Sequence, residues 1–532
     1  MEHTIYAPGS LGQNSTESGV ILGAEWATMT TGLIVHPTGL LCVKGPSDQQ
    51  TTTGTTSQTT IRTVHTQVAA DGTFSIISTT STKLFASVTT LATGGAGDVT
   101  GALSPTAGYW NFVNFNGAVY GWQRSHTPIK RTTGNFAALS ASGGGTLPDG
   151  DCAVAAFGRI WAADDDQQTL RWCDLLDDTT WEGALDMRNV WTAGTDRIIA
   201  LAAVGANLIV FGRNHIVFFI DGSGSEVGLD PDKMYVVDVI EGTGCHARDT
   251  VCHVKGGDLW FMSPHGVQSL TRVVVSKDNP INTVSWQIDK TLSDGIQADL
   301  ESITTIQDQR SYTACFIPES GQYFLFRRGS GGDAYIFHLT QEKQDRRGRN
   351  VIPVTVWPNL SAIFEQCHGM TAAPNSKVYY AGLSAGSEYH LFRYFPTENV
   401  DTSALSLEVN QDWEFETAFF VTDEMPMVRK QLKTASMSVT GVSVATAYQL
   451  RFRTDFSTDD DSTQRITSPA LAASTTMHNY TFDTVGTQNE GQAFLLHLEM
   501  ASSASSARGF QKLVSLQCNF VPLVGYNIRT GS

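Results

Sequence analysis

The chain has 532 residues, of which 41% are hydrophobic and 16% charged, and 52 acidic against 35 basic residues leave a formal charge of −17. That length exceeds what one core can organise, so two or three domains are expected. The acid excess excludes a protein built to grip nucleic-acid phosphates or an anionic membrane, since both need clustered Lys and Arg.

In chain order, Met1-Glu2-His3 opens with neither the basic nor the apolar stretch of a secretory leader. Residues 1–31 are rich in Gly, Ser and Thr and read as an N-terminal arm or lead-in. Thr51 to Thr60 and Thr89 to Thr106 read as surface loops. From about residue 60 to 397 one pattern recurs: a small turn residue or two, then a strand of aromatic and β-branched residues. The turns are Asp71-Gly72, Asn116-Gly117, Phe157-Gly158, Gly205, Gly256-Gly257, Ser320-Gly321 and Pro374-Asn375. Their spacing of roughly 40 to 65 residues is near one four-stranded propeller blade, which predicts an irregular β-propeller of about six blades over residues 32–400. A large Greek-key sandwich is the competing layout. The apolar run Ile198 to Phe211 is too short to span a bilayer and reads as a buried strand pair.

Asp289 to Ile303 places Leu292, Ile296 and Leu300 at helical spacing, the one helix expected. After Pro396 the pattern becomes strict alternation. Trp413, Phe415, Phe419 and Val421 oppose Glu414 and Glu416. Leu496, Leu498 and Met500 oppose His497 and Glu499, while Val442, Val444, Tyr448, Leu450 and Phe452 oppose Gln449, Arg451 and Arg453. Val514, Leu516, Cys518 and Phe520 repeat the theme. Period-two alternation means one buried and one wet face, so residues 401–532 are expected to form a separate antiparallel, sandwich-like β domain. The fold class is therefore all-β.

No constellation carries an active site. Asp164-Asp165-Asp166 and Asp459-Asp460-Asp461 lack the Gly and distal Glu of a calcium loop and read as acidic turn tips. Cys245-His246 and Cys252-His253 hold four zinc-ligand types, but strand geometry sends Cys252 and His253 to opposite faces. Asp177-Asp178-Thr179-Thr180-Trp181 keeps only the Thr-Trp of a sialidase box. Gly222-Ser223-Gly224 and Gly329 to Gly332 lead into no helix that would cradle phosphate. Arg346-Arg347-Gly348-Arg349 reads as a solvated loop, or alternatively as a contact with DNA or an acidic neighbour. Eight scattered cysteines without a C-x-x-C pair are expected to be free, buried thiols. Catalytic, cofactor-binding and metal residues are accordingly none, cofactors none, and channel-lining residues unknown.

Several stretches resemble the tail nozzle proteins of short-tailed bacteriophages, also called tail tubular protein B or packaged-DNA stabilisation proteins. They are IIALAAVGANLIVFGRNHIVFFIDG at 198–222, EGTGCHARDTVCHVKGGDLWFMSPHGVQSL at 241–270, DLLDDTTW at 174–181 and the helix at 289–303 leading to Cys315-Phe316-Ile317-Pro318. GLIVHPTG at 32–39 is similar to the family's opening segment, with His36-Pro37-Thr38 where Arg-Pro-Gly is usual. The resemblance implies a propeller-bearing structural virion protein of the viral tail, assembled in the host cytoplasm. It implies a homohexameric tube below the portal-adaptor complex that retains packaged DNA and conducts it at ejection. Partners would be further copies of itself, the portal-adaptor protein, tail fibre or tail needle proteins, and genomic DNA passing without tight binding. The rival readings are a receptor- or glycan-binding tail adhesin and a propeller glycosidase.

Overall fold

The computed structural model describes residues 2–523 apart from 19–21, 37–38, 43–46, 50–59, 90, 92–93, 107, 143–144, 192–195, 222–228, 277–282, 290–291, 293, 295, 297–310, 329–332, 358–366, 376, 384–388, 395–412, 422–427, 443–447, 456–465, 469–473, 484–489 and 501–511. The chain divides into two units: Met1–Pro46 with Asp333–Ile363 and Pro396–Ser532, and Ser47–Gly332 with Phe364–Phe395.

The larger unit is an irregular β-propeller. Seven small antiparallel sheets follow in chain order, and their first strands are Thr63–Val68, Asn111–Phe115, Ala153–Ala156, Ala200–Val204, Cys252–His253, Tyr312–Ile317 and Met370–Ala372. The first strands neighbour one another in turn, the fourth meeting the turn Arg248–Thr250 that precedes the fifth, and Met370–Ala372 returns beside Thr63–Val68. There the Thr66 and Thr371 hydroxyls lie 3.0 Å apart and Thr66 donates to the Ala372 carbonyl, closing the ring. The seventh sheet takes its outer strand, Ser47–Asp48, from before the first sheet, pairing it with Phe392 and Arg393 of Tyr389–Tyr394.

Each of the seven turn signals sits in the first hairpin of a different sheet, so the pattern held seven blades where about six were expected. Asn116-Gly117 and Phe157-Gly158 both turn with positive φ at the two central positions, 49° and 72°, then 56° and 69°. That is the geometry whose twist matches the flanking strands. The buried strand pair expected at 198–211 is the Ala200–Val204 and Asn207–Phe211 hairpin.

Between blades the apolar faces interleave. Trp161 and Leu170 of the third sheet, with Met187 just after it, pack with Leu208, Val210 and Phe219 of the fourth. Ile209, Phe211 and Phe218 on the fourth sheet's other face pack with Leu259 and Phe261 of the fifth. Strands buried on both faces read as continuous apolar runs, which is why Asn207–Phe211 and His215–Asp221 lack alternation.

The smaller unit is an antiparallel β-sandwich. One sheet orders Leu33–His36, Gly39–Cys42, Lys512–Pro522, Lys430–Val442 and Ser474–Asp483, with Glu2–Tyr6 also on Lys512–Pro522. The other orders Ala27–Thr31, Glu414–Thr417, Phe494–Met500, Tyr448–Thr454 and Ile466–Thr467. Leu33, Leu40, Leu432, Met437, Leu516 and Phe520 of the first sheet share a core with Trp413, Phe415, Tyr448, Leu450, Phe494 and Leu498. Tyr448 and Tyr480 meet edge-on at 4.6 Å between ring centroids.

These units differ from a division at residues 31 and 400. Glu2–Tyr6 and Ala27–Thr31 of the supposed lead-in are sandwich strands, and residues 32–46 and 333–363 also belong to the sandwich unit. The reason is non-local: Ile5 pairs with Leu516 and Thr30 with Phe415, so neither strand has a partner nearby in sequence. The segment 396–412, where a junction was expected, lies outside the described residues apart from its neighbours.

Two further corrections concern faces. Ser515 pairs with Ser438 but Leu513 with Val439, a bulge that turns Leu513 rather than Val514 into the core. The supposedly wet face of the second sandwich sheet is also closed off: Glu416, His497 and Glu499 are all less than a tenth exposed. Of the expected helix 289–303, Asp289, Leu292, Asp294 and Ile296 are helical with Leu292 and Ile296 buried, and the rest lies outside the described residues. A helix not expected, Leu270–Val275, follows the fifth sheet. Its run of β-branched valines disfavours helix locally, and Ser269 holds it by accepting from the Arg272 N–H at 3.2 Å.

Candidate functional site

The residues singled out in sequence are mostly used up by the fold. Arg171 Nε reaches both oxygens of Asp164 at 2.8 and 2.7 Å, Arg124 Nε lies 2.7 Å from Asp165, and Asp166 accepts from the amides of Gln168 and Thr169. The triplet is therefore a tied acidic turn, whereas 459–461 lie outside the described residues. Asp177 accepts from Thr179 and Thr180, and the buried Trp181 indole donates to the Asp178 carbonyl at 2.8 Å, so this stretch anchors a turn.

Cys245 Sγ donates to the Ala247 carbonyl at 3.2 Å, and burial pushes the thiols of Cys245 and Cys252 up to about 12. His246 is buried and His253 exposed, so the four ligand types do not converge. Seven cysteines, all except Cys42 whose side chain is outside the described set, are free. The glycine-rich 222–228 and 329–332 also lie outside the described residues.

The basic run is matched within the sandwich unit. Arg346 lies 2.9 Å from Glu25, Arg347 2.9 Å from Glu17, and Arg349 3.1 Å from Glu17 and 2.7 Å from Asp345. The hydrogen bond from Arg349 leads in holding the Glu17 carboxyl below its usual range. Partners 330 residues away in sequence could not be read from a local window.

One end of the propeller ring carries a connected cluster of polar side chains. Arg62, Tyr109, Asp151, Asp249 and His368 all fall just before the first strands of their sheets, and Arg328 follows Gln322–Arg327 with its N–H on the Ser311 carbonyl, so the fold gathers them at one rim. Asp249 receives Arg248 at 2.6 and 3.0 Å and Arg328 at 2.7 Å. Burial opposes its charge, yet the two guanidiniums win and hold the carboxyl down at about 2. Arg248 also donates to the Asp151 carbonyl. Arg328 donates to the His368 carbonyl at 2.7 Å and stacks on Tyr109 with its guanidinium carbon 4.2 Å from the ring centroid. His368 sits between the hydroxyls of Tyr109 and Tyr389, at 3.1 and 3.4 Å, and burial, then Arg328 and Arg62, lower its pKa to about 4.

This arrangement joins the loops of five sheets and the carbonyl of a sixth. Its acid, bases and aromatic ring are already bonded to each other, which suits a clasp that fixes the ring. A second clasp serves the fourth sheet, where Asp196 accepts from the amides of Arg213 and Asn214 and from His215 Nδ1, each at 2.8 or 2.9 Å.

The propeller also exposes apolar side chains. Met234–Glu241 is the edge strand of the fourth sheet, and a register shift at Phe218/Phe219 leaves Val237 without a direct partner. Tyr235 and Val237 are 52% and 51% exposed, and Val275 at the end of the short helix is 83% exposed. Val237, Val274 and Val275 line one groove with Ile209 and Leu270, a cavity of about 360 Å³. A sheet edge with unpaired backbone groups beside an apolar groove is a surface that natural proteins ordinarily blunt with charge or cover.

No family model and no curated protein matches this chain. Solved structures similar to it include a candidate 6-phosphogluconolactonase from Bacteroides fragilis NCTC 9343, with 10% identity, TM-score 0.32, and coverage of 63% of this chain and 94% of that one. YCF48 bound to D1 peptide has 11% identity and TM-score 0.30, covering 66% and 97%. PorZ, a surface component of the type-IX secretion system of Porphyromonas gingivalis, has 11% identity and TM-score 0.24, covering 62% and 48%. At these scores the propeller assignment rests on the sheet topology of this chain itself. No helix among the described residues is long and apolar enough to cross a membrane.

Proposed function

We propose that this chain is a structural assembly subunit, a tail nozzle protein of a short-tailed bacteriophage, working as a ring of copies through which DNA passes. The observation that carries the reading is the exposed apolar edge of the fourth sheet with its groove, Tyr235, Val237, Val274 and Val275, on a chain of net charge −17. Such a patch suits burial against a neighbouring subunit. The internally bonded rim of the propeller supports a scaffold role, because its ionisable groups are spent on one another. The sequence resemblance supplies the ring of six, the place below the portal-adaptor complex and the passage of DNA.

Light scattering with size exclusion on the full chain, followed by negative-stain imaging, tests the reading. The expected result is a six-fold ring, alone or on mixing with the adaptor, that Val237→Glu with Val275→Glu disperses while far-UV circular dichroism is unchanged. A monomer or trimer that binds host-surface glycan, with the same double variant silent, would replace it with the adhesin reading. Hydrolysis of polysaccharide that follows the protein through repurification and is lost on changing one carboxylate would replace it with an enzyme.

A further inference from the structure

The polar face of the second sandwich sheet carries a rectangle of side chains that neither the fold nor the proposed function uses. Glu414–Thr417 pairs antiparallel with Phe494–Met500, so that Glu414 faces Glu499 and Glu416 faces His497. Alternation sends these four away from Phe415 and Leu498, which are in the core. On the far side, Tyr448–Thr454 sets Arg451 opposite His497.

The donor atoms of Glu414, His497 and Glu499 lie within 4.8 Å of one another. Arg451 holds Glu499 with two contacts of 3.0 and 2.5 Å, and Arg453 lies 3.6 Å from Glu416. Thr28 donates to Glu416 at 2.6 Å, and the other Glu416 oxygen takes His497 Nδ1 at 3.3 Å. That contact places the proton of a neutral imidazole on Nδ1 and leaves Nε2 as a lone pair. Nε2 is the unsatisfied atom: the side chain is 7% exposed, Nε2 has no hydrogen-bond partner among the described residues, and Glu499 Oε2 is 4.0 Å away.

A gap of 4.0 Å is too long for an N–H···O bond, which needs about 2.7–3.2 Å. Tetrahedral zinc bonded to both at about 2.0–2.2 Å would hold them about 3.4 Å apart, so seating an ion there requires the two side chains to close by about 0.6 Å. Charge favours an ion there. Three carboxylates face two guanidiniums, so the cluster with neutral imidazole is short of positive charge. A proton on Nε2 supplies one charge but leaves a buried N–H with no acceptor in reach. A divalent ion supplies two and occupies the orphaned lone pair.

We infer that Glu414, His497 Nε2 and Glu499 form a binding site for a divalent first-row metal ion, zinc in its mix of imidazole and carboxylate donors. Glu416 holds the imidazole from behind, the outer carboxylate that metal-bound histidines ordinarily use. The ion ties two adjacent strands of the sandwich, and this role is independent of the assembly proposed above.

The test is calorimetric titration and thermal melting of the chelator-stripped full chain with zinc chloride, with magnesium chloride as contrast. One zinc per chain and a higher melting temperature with zinc but not magnesium are expected. His497→Gln should abolish both effects, and Glu416→Gln should weaken zinc binding by roughly 10- to 100-fold, the usual loss for an outer-carboxylate change. Glu414→Gln, at the more exposed corner, guards against a variant that simply misfolds, and it should lose zinc while melting like the stripped wild type. Wild type that takes up no zinc at millimolar concentration overturns the inference. So does wild type and His497→Gln binding zinc equally, which would place the ion elsewhere.

Discussion

Asp249→Asn is nearly isosteric and removes one charge from the rim of the propeller. Asp249 is the carboxylate that Arg248 and Arg328 share, at 2.6 and 2.7 Å, with side-chain exposures of 15%, 6% and 5%. Lowering its pKa from 3.8 to about 2 is worth about 2 kcal/mol of ionisation free energy. The substitution also leaves two guanidiniums buried without a counter-charge, and breaking such a pair costs about 3–5 kcal/mol. The expected loss is thus about 2–5 kcal/mol. For a unit of roughly 320 residues, at about 2.1 cal/mol/K of unfolding entropy per residue, that lowers the melting temperature by about 3–7 °C. Differential scanning calorimetry of the full chain at neutral pH reads this directly. The carboxyl's contribution is present above its unfolded pKa and is lost as pH falls through about 2, so wild type and variant should converge in acid. Adding Arg328→Met to the variant should cost less than the sum of the single changes, because one unpaired charge is removed. A shift in Asp249→Asn of under about 1 °C, or additive single and double changes, would refute the clasp.

Gly39→Ala should destabilise the sandwich by about 2 kcal/mol or more, since φ is 147° and a Cβ there would sit 2.0 Å from the Leu513 carbonyl oxygen; urea unfolding followed by tryptophan fluorescence checks it. Stability should fall as pH drops from about 6.5 towards 4, because burial lowers the folded pKa of His65 and His368 to about 4 while the unfolded chain takes up protons from about 6.5. His65→Gln with His368→Gln should flatten that slope in melting curves, and an unchanged slope would count against it. The isolated chain should bind duplex DNA no tighter than about 10⁻⁴ M at physiological salt, because the charges of Arg346, Arg347 and Arg349 are met by Glu17, Glu25 and Asp345; fluorescence anisotropy across a salt series measures this.

Properties written in short stretches of chain were legible without coordinates. Alternation predicted that Trp413, Phe415, Leu496 and Leu498 enter the sandwich core, and they are there, but past Thr417 it is Phe420 that is buried rather than Phe419 and Val421. Asn116-Gly117 announced its hairpin because two successive positive φ angles are a local demand. The seven turns even marked the seven sheets, one each. What joins distant segments was not legible. Glu2–Tyr6 pairs with residues 515–519, Ser47–Asp48 completes the last blade, and Glu17 meets Arg349, all through ladders and ion pairs whose two halves carry no shared local pattern. The same holds for the candidate metal site. Glu414, His497 and Glu499 were visible as polar positions on strands, and alternation assigned them to water. Only the register that sets Glu414 against Glu499 and Glu416 against His497 turned a solvated face into a buried one with an orphaned nitrogen. A strand's period is a property of its own backbone, whereas its neighbour and register are chosen by the whole chain.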